Sequence, residues 1–140
     1  GLASAVDYAI ASNKAEIKLS ELAVGIGPFV VGPAVERKRG TGAFSALAID
    51  ATSWGSTDRT KKKGMFAEVH ESIENMDEAV DRLANTLAQS NPQAMAEMKK
   101  TFWKGTEHRD VLLKERAAIS GKLVLSGFTR NAITKFKSKG

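Results

Sequence analysis

Apolar positions recur three or four apart from the first residues onward. Leu2, Ala5, Val6, Ala9 and Ile10 share this spacing, which predicts a helix already under way at the start. From Lys14 to Glu21 the period drops to two. Ala15, Ile17 and Leu19 fall on one side and Glu16, Lys18 and Ser20 on the other, the pattern of a short half-buried strand. Gly25-Ile26-Gly27-Pro28 interrupts regular structure. Two short helices are expected next, over Val30 to Arg39 and Thr41 to Ala51, separated by Gly40. The cations Arg37, Lys38 and Arg39 suit a helix C-terminus, and Pro33 is tolerable only in an opening turn. Ser56 to Lys63 predicts another short helix ended by Gly64, and Met65 to His70 alternates like a second strand.

The clearest helix carries Ile73, Met76, Val80, Leu83 and Leu87, with Asn75 and Glu78 forming a capping-box-like start. Ser90-Asn91-Pro92 opens another, with Pro92 in its first turn. Ala94, Met95, Met98 and Phe102 line that helix, which ends near Gly105, and its two methionines read as packing residues. Glu107 to Leu125 forms a long amphipathic helix through Val111, Leu112, Ala118, Ile119 and Val124, weakest at Gly121. A basic helix from about Phe128 to Lys137 closes the chain. The expected class is therefore α/β, helix-rich with about two short strands.

The length of 140 residues suits one compact domain, and 42% hydrophobic with 26% charged residues excludes disorder. No apolar run approaches the length of a membrane span. Cysteine is absent, which removes disulfides, thiolate nucleophiles and cysteine-based zinc sites; this suits a reducing compartment, and a cytoplasmic location is expected. His70 and His108 stand far apart without an HExxH spacing, so no metal site is expected. Neither a GxSxG elbow nor a Walker or GxGxxG loop occurs.

The net charge of +5 favours anionic partners, although the stretch from Glu68 to Asp81 is acidic. Lys61, Lys62 and Lys63 read as a solvated helix end; Lys135, Lys137 and Lys139 form a second basic cluster. Aromatic residues are not interleaved with these clusters, so nucleic acid is not the expected partner. The opening helix has nothing before Gly1 to satisfy its orphan N–H groups, and it reads either as the later part of a longer chain or as a helix that frays at its start.

Glu21 is the carboxylate of interest. It stands between the alternating segment and the Gly-Pro loop, flanked by Leu19, Leu22, Ala23 and Val24. Desolvation in such company disfavours the charged form and brings an acid toward the balance of protonated and ionised forms that general acid–base work uses. Taken alone, the residue reads more simply as an exposed loop glutamate or half of an ion pair.

The run from Gly1 to Ser12 (GLASAVDYAIAS), followed by Ala15-Glu16-Ile17-Lys18-Leu19-Ser20-Glu21-Leu22-Ala23-Val24-Gly25, resembles the middle of the enoyl-CoA hydratase/isomerase (crotonase) superfamily. The shared features are an Asp-containing segment, which in the family follows a glycine-rich turn, then a short strand, a Ser-Glu-(hydrophobic)₃-Gly segment and a Pro-containing loop. The lysine-rich stretch before Gly64, the Gly-Met-Phe-Ala-Glu-Val strand, the Asn-Pro-Gln-Ala helix start and the basic tail extend the resemblance over essentially the whole chain.

The resemblance implies a crotonase-like α/β fold, with 1–70 as the later part of the core and 71–140 as a helical oligomerisation and CoA-contact region. The implied substrate is an acyl-CoA thioester, and no separate cofactor is implied. In this family two backbone N–H groups stabilise the enolate-like charge on the thioester oxygen, and one or two glutamates move the proton. Glu21 matches the second family glutamate. The first falls on Gly1, and the loop glycine that helps hold water in hydratases is here Phe29.

Both oxyanion donors and most of the CoA framework would lie before Gly1. The chain would then be the C-terminal half of its protein and inactive alone. Lys135, Phe136 and Lys137 match the region that reaches the adenine and phosphate end of CoA. A trimer or dimer of trimers is the implied assembly. Hydration of an enoyl-CoA is the expected activity. Double-bond isomerisation with a single glutamate, and a non-catalytic helical oligomerisation module, are the alternatives.

Overall fold

A computed structural model describes residues 1–57, 61 and 63–138. Two strands, β1 (Ile10–Ser12) and β2 (Glu68–His70), pair in parallel with Ile10 opposite Glu68, Ala11 opposite Val69 and Ser12 opposite His70. Ala67 N–H to Ala9 C=O (2.9 Å) and Asn13 N–H to His70 C=O (2.8 Å) extend the ladder at both ends. Around it pack Ala9, Ala11, Met65 and Phe66, joined by Ala15, Ile17 and Val69. Parallel strands need a long crossover. The one here contains the helices α2 (Gly32–Arg39) and α3 (Thr41–Ile49), which pack on each other.

The opening helix α1 spans only Leu2–Ala5, not the longer run predicted to Ile10. Two competitors shorten it. Pairing with β2 draws Ala9 to Ser12 into extended backbone. Lys38 of α2 donates to Ala3 C=O (3.0 Å) and Val6 C=O (2.7 Å), satisfying carbonyls that a longer helix would have used. Ala9 and Ala11 are small enough to be buried at this crossing.

The predicted strand from Lys14 to Glu21 does not form either. Its single sheet-like contact is an antiparallel bridge between Ile17 and Gly55 (2.8 and 3.2 Å). The alternation nevertheless identified the faces correctly: Leu19 is buried and Ala15 and Ile17 pack against the core, whereas Glu16 and Ser20 are exposed. Among the described residues no strand lies beside this segment to continue a ladder, so its side chains are sorted without strand pairing. The helix predicted over Ser56 to Lys63 includes Asp58, Arg59, Thr60 and Lys62, which lie outside the described residues.

Pro33 occupies the first turn of α2, as its missing N–H requires, and Gly40 ends that helix with φ +78°. The longest helices follow: α4 (Ile73–Ala88), α5 (Pro92–Phe102), α6 (Arg109–Val124) and α7 (Gly127–Lys137). Helix α4 is capped by Ser72, whose Oγ accepts from Asn75 N–H at 3.1 Å; Asn75 and Glu78 therefore lie inside the helix and do not cap it. Asn91 caps α5 by accepting from the N–H groups of Gln93 (2.9 Å) and Ala94 (3.2 Å), with Pro92 beside it as expected. Helix α6 runs unbroken through Gly121.

Helices α5 and α6 bury no residue completely. Met95 and Met98, expected to pack, are exposed, as are Ile73, Val80, Phe102, Val111 and Ile119. Helix α5 carries a one-sided apolar face that the described residues do not cover, whereas α6 distributes its apolar residues around its circumference and is not the amphipathic helix expected. No helix among the described residues is long and apolar enough to cross a membrane.

Candidate active site

Glu21 begins a single 3-10 turn, Leu22–Val24, that closes in a Schellman arrangement. Ile26 N–H donates to Glu21 C=O (2.9 Å) and Gly25 N–H to Leu22 C=O (3.0 Å). This closure places Gly25 at φ +84°, where a side chain is strained. The Ser-Glu-(hydrophobic)₃-Gly pattern thus has a local cause. The glycine ends the turn that presents the glutamate, and Leu19 anchors the approach to it from the core.

The Glu21 side chain does not cap its own turn. Its Oε2 is buried and finds no hydrogen-bond partner among the described residues. Buried carboxylate oxygens are normally hydrogen-bonded, because desolvating one without compensation costs free energy. An acceptor held dry and unpartnered is available to a ligand proton or a bound water. Leu22, expected to shield this acid, is 49% exposed, so the apolar surroundings are only partly built by the described residues.

The turn is seated on the start of α7. A Cβ at Gly25 would lie 2.5 Å from Phe128 Cδ1 and 2.7 Å from Thr129 Oγ1. Thr129 is completely buried. Its hydroxyl donates to Leu123 C=O (3.1 Å), and its N–H donates to the capping Ser126 Oγ (3.3 Å), which fixes α7 against the end of α6. From this anchor α7 runs past the segment leading to Glu21, leaving an open cleft of about 970 Å³.

Lys135, Phe136 and Lys137 line one side of the cleft, while Lys18, Ser20, Ala23 and Val24 line the other. The three tail residues, more than 110 positions from Glu21 in sequence, are thereby brought to the segment that carries it. Glu21 itself is not among the cleft-lining residues. Lys18 and Ser20 were not singled out as site residues. Their signal lay in the alternation, which put them on the polar side of the segment next to Glu21. Lys18 Nζ also stands 5.3 Å from the centroid of the Trp54 ring, within cation–π range.

The loop after the turn is closed at Phe29. Its N–H donates to Gly27 C=O (2.8 Å), and its ring covers Gly27, where a Cβ would meet ring carbons at 2.6 Å. That N–H is therefore already engaged within the loop.

A polar node ties α1, α2 and α5 together beside this frame. The Asp7 carboxylate accepts from Lys99 Nζ (2.5 Å) and Trp103 Nε1 (2.7 Å), and Arg37 stands 3.8 Å away. The Lys99 hydrogen bond is the largest influence on this acid. Together with the Trp103 N–H and the charges of Lys99 and Arg37 it outweighs partial burial and holds Asp7 below the usual carboxylate range. A depressed acid contributes stability that is complete above its unfolded value and is lost as pH falls through the folded one. The stability gap between the wild type and Asp7→Asn is accordingly expected to be constant above about pH 5 and to shrink at lower pH. Urea denaturation at a series of pH values measures it; a gap that does not change with pH would exclude this role.

The model of the family described as enoyl-CoA hydratase/isomerase matches residues 1–136. Solved structures similar to the chain include an enoyl-CoA hydratase from Mycobacterium avium, with a TM-score of 0.88 and 22% identity over 99% of this chain and 54% of that one. An enoyl-CoA hydratase/isomerase from Pseudoalteromonas atlantica gives 0.88 and 15% over 99% and 56%. A carnitinyl-CoA hydratase from Mycobacterium avium gives 0.84 and 18% over 99% and 54%. No curated protein matches the sequence. At these identities the structural likeness is one of fold, and the chain spans about half the length of each of these neighbours. The fold is crotonase-like α/β, and the match of the family model over residues 1–136 fixes its membership: the chain belongs to the enoyl-CoA hydratase/isomerase family.

Proposed function

We propose that the chain supplies the proton-transferring carboxylate and part of the CoA cleft of an enzyme acting on enoyl-CoA thioesters. The observation that carries this reading is the buried, unpartnered Oε2 of Glu21 on a turn seated against α7. In hydration, water adds across the 2,3 double bond: its oxygen bonds to C3, one of its protons reaches C2, and charge builds on the thioester oxygen between. Glu21 takes the proton from the attacking water and is the group that returns one. Lys135, Phe136 and Lys137 receive the CoA end, with the lysines pairing to phosphates and Phe136 offering a face to the adenine. CoA enters as part of the substrate, and no separate cofactor is invoked.

The two amides that hold the thioester oxygen come, on this reading, from outside the 140 residues, which form the C-terminal half of the catalytic unit. The isolated chain is then inactive. The exposed apolar faces of α4 and α5, with the exposed Val111, Ile119 and Val124 of α6, fit a role in assembly as a trimer or dimer of trimers, since large uncovered apolar surfaces mark contact sites. Such an enzyme would work in the cytoplasm.

One observation favours double-bond isomerisation as the second reading. Phe29 stands where a water-holding glycine is expected, and its N–H is engaged by Gly27 C=O. A single carboxylate suffices to take a proton from C2 of a 3-enoyl thioester and return it at C4. Incubating the native protein separately with 2-enoyl-CoA and 3-enoyl-CoA separates the two. Hydration yields the 3-hydroxyacyl thioester from the first, whereas isomerisation yields the 2-enoyl thioester from the second. Turnover of neither would remove the proposed activity.

A further inference from the structure

A second basic site lies away from the Glu21 turn and shares no lining residue with the α7 cleft. Between α2 and the start of α6 is a pocket of about 330 Å³ lined by Glu36, Arg37, His108, Arg109, Leu112 and Arg116. Its three guanidinium groups come from two helices and are positioned by the fold. Arg109 donates to Pro33 C=O (2.8 Å) at the first turn of α2. Arg37 donates to Phe102 C=O (2.8 Å) and stacks on Trp103 at 4.0 Å, with Arg109 at 5.9 Å from the same ring. Arg116 lies against Gly32, where a Cβ would come within 3.3 Å of its Nη1.

The charges here do not balance. Asp7 serves Lys99 and Arg37, and Glu36 accepts from the Thr41 hydroxyl at 2.8 Å. Among the described residues neither Arg109 nor Arg116 has a carboxylate within ion-pair distance. The pocket lining thus sets three guanidinium groups against the single carboxylate of Glu36, an excess of two positive charges. Burial and the adjacent Arg37 push the Arg109 pKa down against the opposing pull of Glu36. Like charges held this close in a partly desolvated pocket repel, and an anion bound between them removes that repulsion. Planar guanidinium forks from two helices suit an oxyanion with several acceptor oxygens.

We propose that the pocket between α2 and α6 binds a phosphomonoester dianion, whose two negative charges match the local excess. The proposal does not depend on the activity assigned to Glu21. Trp103 stacks beneath Arg37 and reports on the site. In a Trp54→Phe background its fluorescence is expected to change saturably with inorganic phosphate, at constant ionic strength, with a midpoint below about 10 mM. Arg116→Gln should raise that midpoint at least about tenfold, with Arg116→Lys between the two. Arg109→Gln should act likewise, and because Arg109 also holds Pro33 C=O the Arg116 variants keep the test independent of folding.

Titration with CoA identifies the source of the phosphate. A parallel loss of CoA affinity in Arg116→Gln assigns it to CoA, and unchanged CoA affinity assigns it to a separate small phosphomonoester. Absence of a saturable phosphate response, or an equal midpoint in Arg116→Gln, overturns the proposal.

Discussion

Glu21→Gln is expected to reduce turnover of an enoyl-CoA thioester by about 10²- to 10⁴-fold in the native protein, the range that a positioned acid–base group supplies. The amide keeps the size and most of the polarity of the side chain but cannot take a proton from water or from a carbon acid. If Glu21 acts only in proton transfer, kcat falls while KM changes little, because the CoA end is held by other residues. Stability should not fall with it. Oε2 is buried without a partner among the described residues, and a neutral amide carries less desolvation cost than a carboxylate at such a place. The expected signature is an inactive variant that melts at or above the wild-type temperature. Undiminished turnover would remove Glu21 from the mechanism, and an equal loss of stability and activity would make it a structural residue.

The second large effect lies one turn further on. Gly25→Ala is expected to destabilise the fold by about 2–4 kcal/mol, from a side chain forced to positive φ and from overlap with Phe128 and Thr129. Gly105 supplies the control. It has a similar φ of +83°, but nothing lies within 4 Å of where its Cβ would stand. Gly105→Ala should therefore cost only the backbone strain, about 1–2 kcal/mol. The difference between the two urea midpoints isolates the seating of the turn on α7. The same Gly25 variant should weaken CoA binding, because displacing the start of α7 moves Lys135, Phe136 and Lys137 with it. Equal destabilisation by the two substitutions would show that α7 is held by something other than this contact.

Much of the helical half was legible in the sequence because its signals are local. Asn91-Pro92, the cations before Gly40 and the spacing of Ile73 to Leu87 each act within one or two turns of the chain. The faces of the segment from Lys14 to Glu21 were legible as well, since burial alternates with the side chains whether or not a ladder forms. The opening helix was overestimated because apolar residues at three- and four-residue spacing also serve a strand whose partner lies nearly 60 residues away. The cap of α4 was misplaced by three residues because Ser72 and Asn75 both present short polar side chains, and only geometry shows which one accepts.

For this protein the sequence by itself determined the helix-rich α/β class, the family resemblance, the position of Glu21 just before the Gly-Pro loop, and the basic character of the tail. Those follow from periodicity, turn chemistry and residue order, all properties of neighbouring positions. The tertiary structure alone decided that the tail meets the segment bearing Glu21, that Phe29 closes its own loop, that Asp7 gathers Lys99, Trp103 and Arg37, and that Arg109 and Arg116 share a pocket with Arg37. Each of these joins groups far apart along the chain through non-local packing, and no local pattern encodes which distant surfaces will meet.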